Sequence, residues 1–146
     1  MRVARVARLV CRRVAVSRRG FASVPEGLKY VETHEWVRSE GPEATIGITD
    51  YAQDQLGDLV YVELPALGDV LAKGDSFGCV ESVKSSSSVY APVGGKVVAV
   101  NEALNEDPAL INKDAYGEGW MIKIQLSDSS QLDDMLDSSA YKKLLN

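Results

Sequence analysis

The 146-residue chain holds one histidine, His34, and two cysteines, Cys11 and Cys79. That leaves little material for a metal cluster or for a nucleophile activated by a neighbouring imidazole. No run of about 18 apolar residues is present, so no segment reads as a membrane-spanning helix. Cys11 falls in what reads as an N-terminal leader, so the remaining domain has one thiol and no partner for an internal disulfide. Cys79 lies in the apolar run Phe77-Gly78-Cys79-Val80 and is expected in the core.

Acidic residues are missing from the first 25 positions, which instead carry seven of the 16 basic residues: Arg2, Arg5, Arg8, Arg12, Arg13, Arg18 and Arg19. On a helical wheel Val3, Val6, Ala7, Val10 and Val14 share one side and Arg5, Arg8 and Arg12 the other. A basic, acid-free amphipathic segment that ends in small and polar residues has the pattern of a mitochondrial transit peptide, with cleavage near Ala22 or Ser23. A secretory signal fits poorly, because Arg12 and Arg13 interrupt the apolar run Leu9-Val10-Cys11. The expected division is therefore a transit peptide over residues 1–22 and one folded domain over residues 23–146, working in the mitochondrial matrix. Past residue 25, nine basic residues face all 21 acids, a balance of −12. Such a surface disfavours nucleic acid and favours partners with basic faces.

Turn residues recur every several positions from Pro65 onward, at Gly68-Asp69, Gly74-Asp75, Ser85 to Ser88, Pro92 and Gly94-Gly95. That spacing predicts many short strands, hence a mainly β domain of the sandwich or flattened-barrel type. Predicted strands cover 28–31, 35–38, 44–48, 59–64, 70–71, 76–83, 89–91, 96–100 and 120–126. A short internal helix is expected over 51–56, capped by Thr49 or Asp50 and stopped at Gly57. One helical turn is expected near Pro108 to Ile111. C-terminal helices are expected over 131–136, capped by Ser129 or Ser130, and over 140–145, capped by Ser138 or Ser139. The spacing P-x-x-G-x-V occurs at Pro65 to Val70 and again at Pro92 to Val97, suggesting two similar half-sheets around Ser85 to Ser88. Trp36 and Trp120 read as core anchors, and His34 as a structural residue.

The stretch from Val80 to Pro92 places a lysine, Lys84, where a hairpin should turn. Valines and a tyrosine suit the flanking strands, and small hydroxyl residues suit a turn that does not demand positive φ. Lys84 should project into solvent. By itself an exposed lysine on a polar turn is only a solvated charge, and Ser85 to Ser88 are either an inert polar turn or a phosphorylation target.

The surrounding motifs carry more. T-H-E-W-V (33–37), G-I-T-D-Y-A-Q-D-Q-L-G-D (47–58), V-E-L-P (62–65), F-G-C-V-E-S-V-K (77–84), Y-A-P (90–92), N-K-D-A-Y-G-E-G-W (112–120) and Y-K-K-L-L (141–145) resemble, in the same order, the H-protein family of the glycine cleavage system. Biotin carriers flank their lysine with methionines, whereas Val83 and Ser85 stand here. Lipoyl domains of 2-oxoacid dehydrogenases more often show D-K-A and continue into a catalytic domain, for which this chain has no room.

The resemblance implies a carrier and not a catalyst, with lipoic acid joined by a lipoyl ligase or transferase as an amide to Lys84. It implies three enzyme partners. A pyridoxal-phosphate glycine decarboxylase (P protein) loads the aminomethyl group, a folate-dependent aminomethyltransferase (T protein) unloads it, and dihydrolipoyl dehydrogenase (L protein) reoxidises the arm. Glu81 is a candidate for recognition by the lipoylating enzyme, or else an ordinary solvent-face charge. Thr33 and Glu35 match the positions implied to contact the loaded arm, a carboxylate being suited to hold a cationic amine. The family commonly has an acid four positions after the lysine; Ser88 stands there, so a weaker or rebuilt protective pocket is expected. A lipoate relay, donating lipoyl groups to other mitochondrial complexes, is the alternative function, and an unlipoylated binding paralogue is a third.

Overall fold

A computed structural model describes residues 23–145; the expected transit peptide lies outside the described residues. Among the described residues nine strands form two antiparallel sheets. In chain order they are β1 (Lys29–Tyr30), β2 (Glu35–Glu40), β3 (Glu43–Ile48), β4 (Leu59–Glu63), β5 (Val70–Leu71), β6 (Ser76–Ser82), β7 (Ser86–Tyr90), β8 (Gly95–Val100) and β9 (Ile122–Leu126). The larger sheet runs β1-β2-β3-β9-β8-β5 and the smaller β4-β6-β7. The two remain separate, so the fold is an open sandwich and not a closed barrel.

Alternation explains the packing. Ala44, Ile46 and Ile48 of β3, Val97 of β8 and Ile122 and Ile124 of β9 point inward from the larger sheet. Val62, Phe77, Val80 and Val89 meet them from the smaller one. Each of these side chains larger than Ala44 contributes on the order of 2 kcal/mol on burial, which is the main term holding the layers together. On the other side of β3, Gly47 leaves room for the Trp36 indole: a Cβ there would stand 2.8 Å from the ring. Trp36 is fully buried and donates from Nε1 to the Ala115 carbonyl at 3.1 Å, while Trp120 is only partly buried.

Helix α1 (Asp50–Leu56) begins where Thr49 Oγ1 accepts the Ala52 amide at 3.2 Å, and it ends at Gly57, whose φ of 86° suits glycine. Two short helical turns, α2 (Ala103–Glu106) and α3 (Leu110–Lys113), stand where a single one was expected. Toward the C-terminus a 3-10 turn (Ser129–Asp134) precedes α4 (Ser138–Leu145). The caps differ from the serines expected. Asp128 Oδ1 accepts the Ser130 amide at 3.0 Å, and Asp137 Oδ1 accepts the Ala140 amide at 2.8 Å. A carboxylate is the stronger acceptor and also complements the helix dipole, so it takes the cap from a nearby hydroxyl.

The two P-x-x-G-x-V segments do not build separate half-sheets. They pair with each other, Val70 opposite Lys96 and Leu71 opposite Gly95, with backbone bonds from Gly68 to Val97 and from Val97 to Asp69.

Candidate functional site

The hairpin β6–β7 carries Lys84 at its tip. Cys79 pairs with Ser88, Val80 with Ser87 and Glu81 with Ser86, so the ribbon is regular up to the turn. Ser82 closes it: its amide donates to the Ser85 carbonyl at 2.7 Å, and its hydroxyl accepts the Ser85 amide at 3.1 Å. Val83 and Lys84 are the two residues between, and neither needs positive φ, since among the described non-glycine residues only His34 has it. Lys84 is exposed. Its stem arches over Gly57 at the end of α1, with Cε 3.5 Å from the point a Cβ on that glycine would occupy.

Asn112 fixes the floor beneath this stem. Its Nδ2 donates to Gly57 O at 3.0 Å and to Gln53 Oε1 at 2.8 Å, while its Oδ1 accepts the Leu59 amide at 2.9 Å. One half-buried amide thus ties α1, the Gly57 turn and the start of β4 together. The residue stood inside a quoted motif, yet nothing in the sequence assigned it this role.

Thr33 and Glu35 lie together at a second place, a cleft of about 320 Å³ lined by Val31, Glu32, Lys73, Tyr90 and Pro92 among others. Glu35 is 2% exposed, not a strand acid in solvent. Its Oε1 accepts from the Thr33 hydroxyl and its Oε2 accepts the Tyr90 amide at 3.2 Å. Burial dominates over these donors and pushes the carboxyl up from 4.5 to about 7. Among the described residues the one ion pair is Lys113–Asp107, so Glu35 has no cationic partner although Lys73 lines the same cleft.

His34 faces the other way. Its left-handed φ of 75° turns the ring toward Tyr141, with Nδ1 2.7 Å from the phenol oxygen, which is also 2.7 Å from Thr49 Oγ1. The Thr33-His34-Glu35 turn is thereby pinned from behind by α4, and Tyr141 in turn stacks on Tyr30 at 4.7 Å. Burial lowers the His34 pKa, consistent with a neutral, structural ring.

Glu81 sits half-buried on the outer face of the smaller sheet, opposite Tyr61 and Ser86. Cys79 is on that face too and is not a core residue: the strand period points Val80 inward and its neighbours outward. Its Sγ lies 3.5 Å from Glu63 Oε1, and burial together with that carboxylate raises the thiol pKa. Ser88 lines a different cleft, with Glu63, Ser76 and Cys79, and not the one holding Glu35.

The profile of the glycine cleavage H-protein family matches residues 28–146. This chain belongs to the glycine cleavage H-protein family. It is 53% identical over 132 residues to the mitochondrial glycine cleavage system H protein 2 of Arabidopsis thaliana, covering 90% of this chain and 85% of that one. The H protein of Carboxydothermus hydrogenoformans is 55% identical over 122 residues, covering 84% and 94%. The crystal structure of the Mycobacterium marinum H protein superposes with a TM-score of 0.76 at 36% identity, over 82% of this chain and 97% of that one. H proteins are lipoyl carriers of the glycine cleavage system, not its catalysts, and the chain's role is that of a carrier.

Proposed function

We propose that lipoate is held as an amide on Lys84 and that the chain shuttles the aminomethyl group of glycine in the mitochondrial matrix. The decarboxylase supplies that group, the aminomethyltransferase takes it, and dihydrolipoyl dehydrogenase receives the reduced arm. The observation that carries this reading is the position of Lys84: an exposed amine at a two-residue tip closed by Ser82 and Ser85, on a paired ribbon. A rigid base with a protruding end is what allows one attachment point to enter several active sites. When attached, lipoate supplies a dithiolane for disulfide exchange and group transfer. Residues 1–22 are proposed to direct import and then to be removed.

The Glu35 cleft fits the loaded arm. Tyr90 and Ala91 stand at the far end of β7 from the tip, and the four residue steps from Ser86 to Tyr90 span about 14 Å. An extended lysine stem with an eight-carbon acyl chain is of that order, about 14 Å, from ordinary bond lengths. A cationic amine reaching the cleft would meet Glu35, which burial otherwise keeps about half protonated near pH 7 and which would ionise fully to pair with it. Thr33 is placed to orient the carboxylate. Glu81, on the strand leading to the tip, is assigned to recognition by the lipoylating enzyme.

Intact mass of the mature native protein, with fragmentation, tests the central claim. One lipoyl mass on Lys84 is expected, and Lys84→Arg should lack both the added mass and the capacity to support glycine decarboxylation with purified partners. A Lys84→Arg protein that remained fully functional would overturn it.

A further inference from the structure

Three large apolar side chains, Val60, Tyr61 and Val83, are 55%, 51% and 85% exposed, at the Lys84 end of the smaller sheet. Register places them together. Leu59 pairs with Ser82 and Tyr61 with Glu81, and Val83 leaves β6 directly after Ser82. The register shift between Leu59 and Tyr61 has a consequence for exposure. In a regular strand successive residues alternate, so one of Val60 and Tyr61 would be buried. A bulge re-aims a side chain, and here both stand in solvent. Asp58, Glu63 and Glu81 flank the group, and none of them forms an ion pair among the described residues. An apolar cluster with a polar rim marks an interaction site.

Reach decides which partner. An enzyme that works on the end of an extended arm can stand off from the protein by the arm's length. The enzyme that forms the amide has no such spacer, because its reacting atom is Lys84 Nζ, about 6 Å from the lysine's own Cα. Its surface must therefore lie on whatever surrounds the tip: Val83 and Ser85 along the chain, and Val60 and Tyr61 beside it.

We propose that Val60, Tyr61 and Val83 form the docking patch for the lipoate-attaching enzyme, which meets them with an apolar notch rimmed by Lys or Arg. This rests on the reading of Lys84 as the attachment point. In the step served, the Nζ lone pair attacks the carbonyl of an activated lipoyl group such as an acyl adenylate. The amide C–N bond forms, the activating group leaves with its bonding pair, and the proton passes to solvent.

The test uses the full-length apo protein with a purified lipoate ligase, lipoate and ATP, followed by intact mass. Val83→Ser, Tyr61→Ser and the Val60→Ser/Val83→Ser double variant are compared with wild type. Leu67→Ser and Val70→Ser serve as controls, since those residues are 65% and 77% exposed but flank or form edge strand β5 of the other sheet. The expected result is a fall in kcat/KM of roughly tenfold for the double variant, carried by KM, with kcat kept at saturation and the controls unchanged. Thermal melting should show every patch variant folded and cooperative at the assay temperature, with at most a modest loss at Val60 and Tyr61, which are about half exposed. Patch variants modified at the wild-type rate, or controls slowed equally, would overturn the docking proposal while Lys84 modification in wild type still stood. Absence of any modification at Lys84 in wild type would overturn both.

Discussion

Glu35 shows how one buried side chain ties the stability of the fold to pH. Its folded pKa of about 7 lies above the 4.5 of an ordinary carboxyl, so the folded state binds the proton more tightly than the unfolded state does. The stability this contributes is fully present below pH 4.5 and is lost as pH rises through 7. From the gap between the two values the loss amounts to about 3 kcal/mol by the alkaline side. Glu35→Gln should therefore melt higher than wild type at pH 8 and lose most of that difference by pH 5, as followed by thermal denaturation across pH. In the loaded carrier the same carboxylate would face an ammonium instead of desolvation alone. Glu35→Ala should then release the aminomethyl group faster, and an unchanged release rate would exclude the cleft as its resting place.

At the level of elements, two small connectors hold the site residues where they are. Tyr141 on α4 meets both His34 and Thr49, and Asn112 in α3 holds the Gly57 turn. Tyr141→Phe would strip a hydrogen bond from buried Thr49 and from half-buried His34 and should cost about 2 kcal/mol in denaturant unfolding. It should also loosen the Thr33-to-Glu35 turn, seen as faster amide exchange there. Asn112→Ala would leave the Leu59 amide and the Gly57 carbonyl without their partner, and should raise exchange around residues 57–59 more than in β9. Neither connector was legible in the sequence, because both join residues more than fifty positions apart and their types are common on any surface. The strands and α1 were legible, since alternation, glycines and the Thr49 cap are local signals. So was the hairpin lysine, whose tip needs only residues 82 to 85. Burial of Glu35 was not, for it depends on the end of β7 coming from the other sheet to meet it, where the Tyr90 amide donates to its Oε2, and Cys79 was misplaced because an apolar run says nothing about which face a given residue takes.

Across the whole molecule the charge is lopsided. The residues after 25 carry nine bases and 21 acids, and Asp54 and Asp58 lie exposed on either side of the Gly57 turn beneath Lys84, with Glu63 exposed further along β4. Attraction between exposed charges falls off over a Debye length of about 8 Å at physiological ionic strength, so a carrier that visits its enzymes through such a surface should do so with salt-sensitive encounter rates. Brief visits suit a shuttle: steering raises the association rate without requiring a large buried interface that would slow release. The expected outcome is that the KM of the lipoylated carrier for the decarboxylase and for the aminomethyltransferase rises as salt is raised from about 0.05 to about 0.5 M, while kcat changes little. Steady-state assays with each purified enzyme would measure it, using a neutral osmolyte as the control for viscosity and hydration. The apolar patch beside Lys84 should behave differently, its contribution to ligase binding persisting at high salt. If carrier affinity for every partner stayed flat across that range, the acidic surface would be a matter of solubility and not of docking.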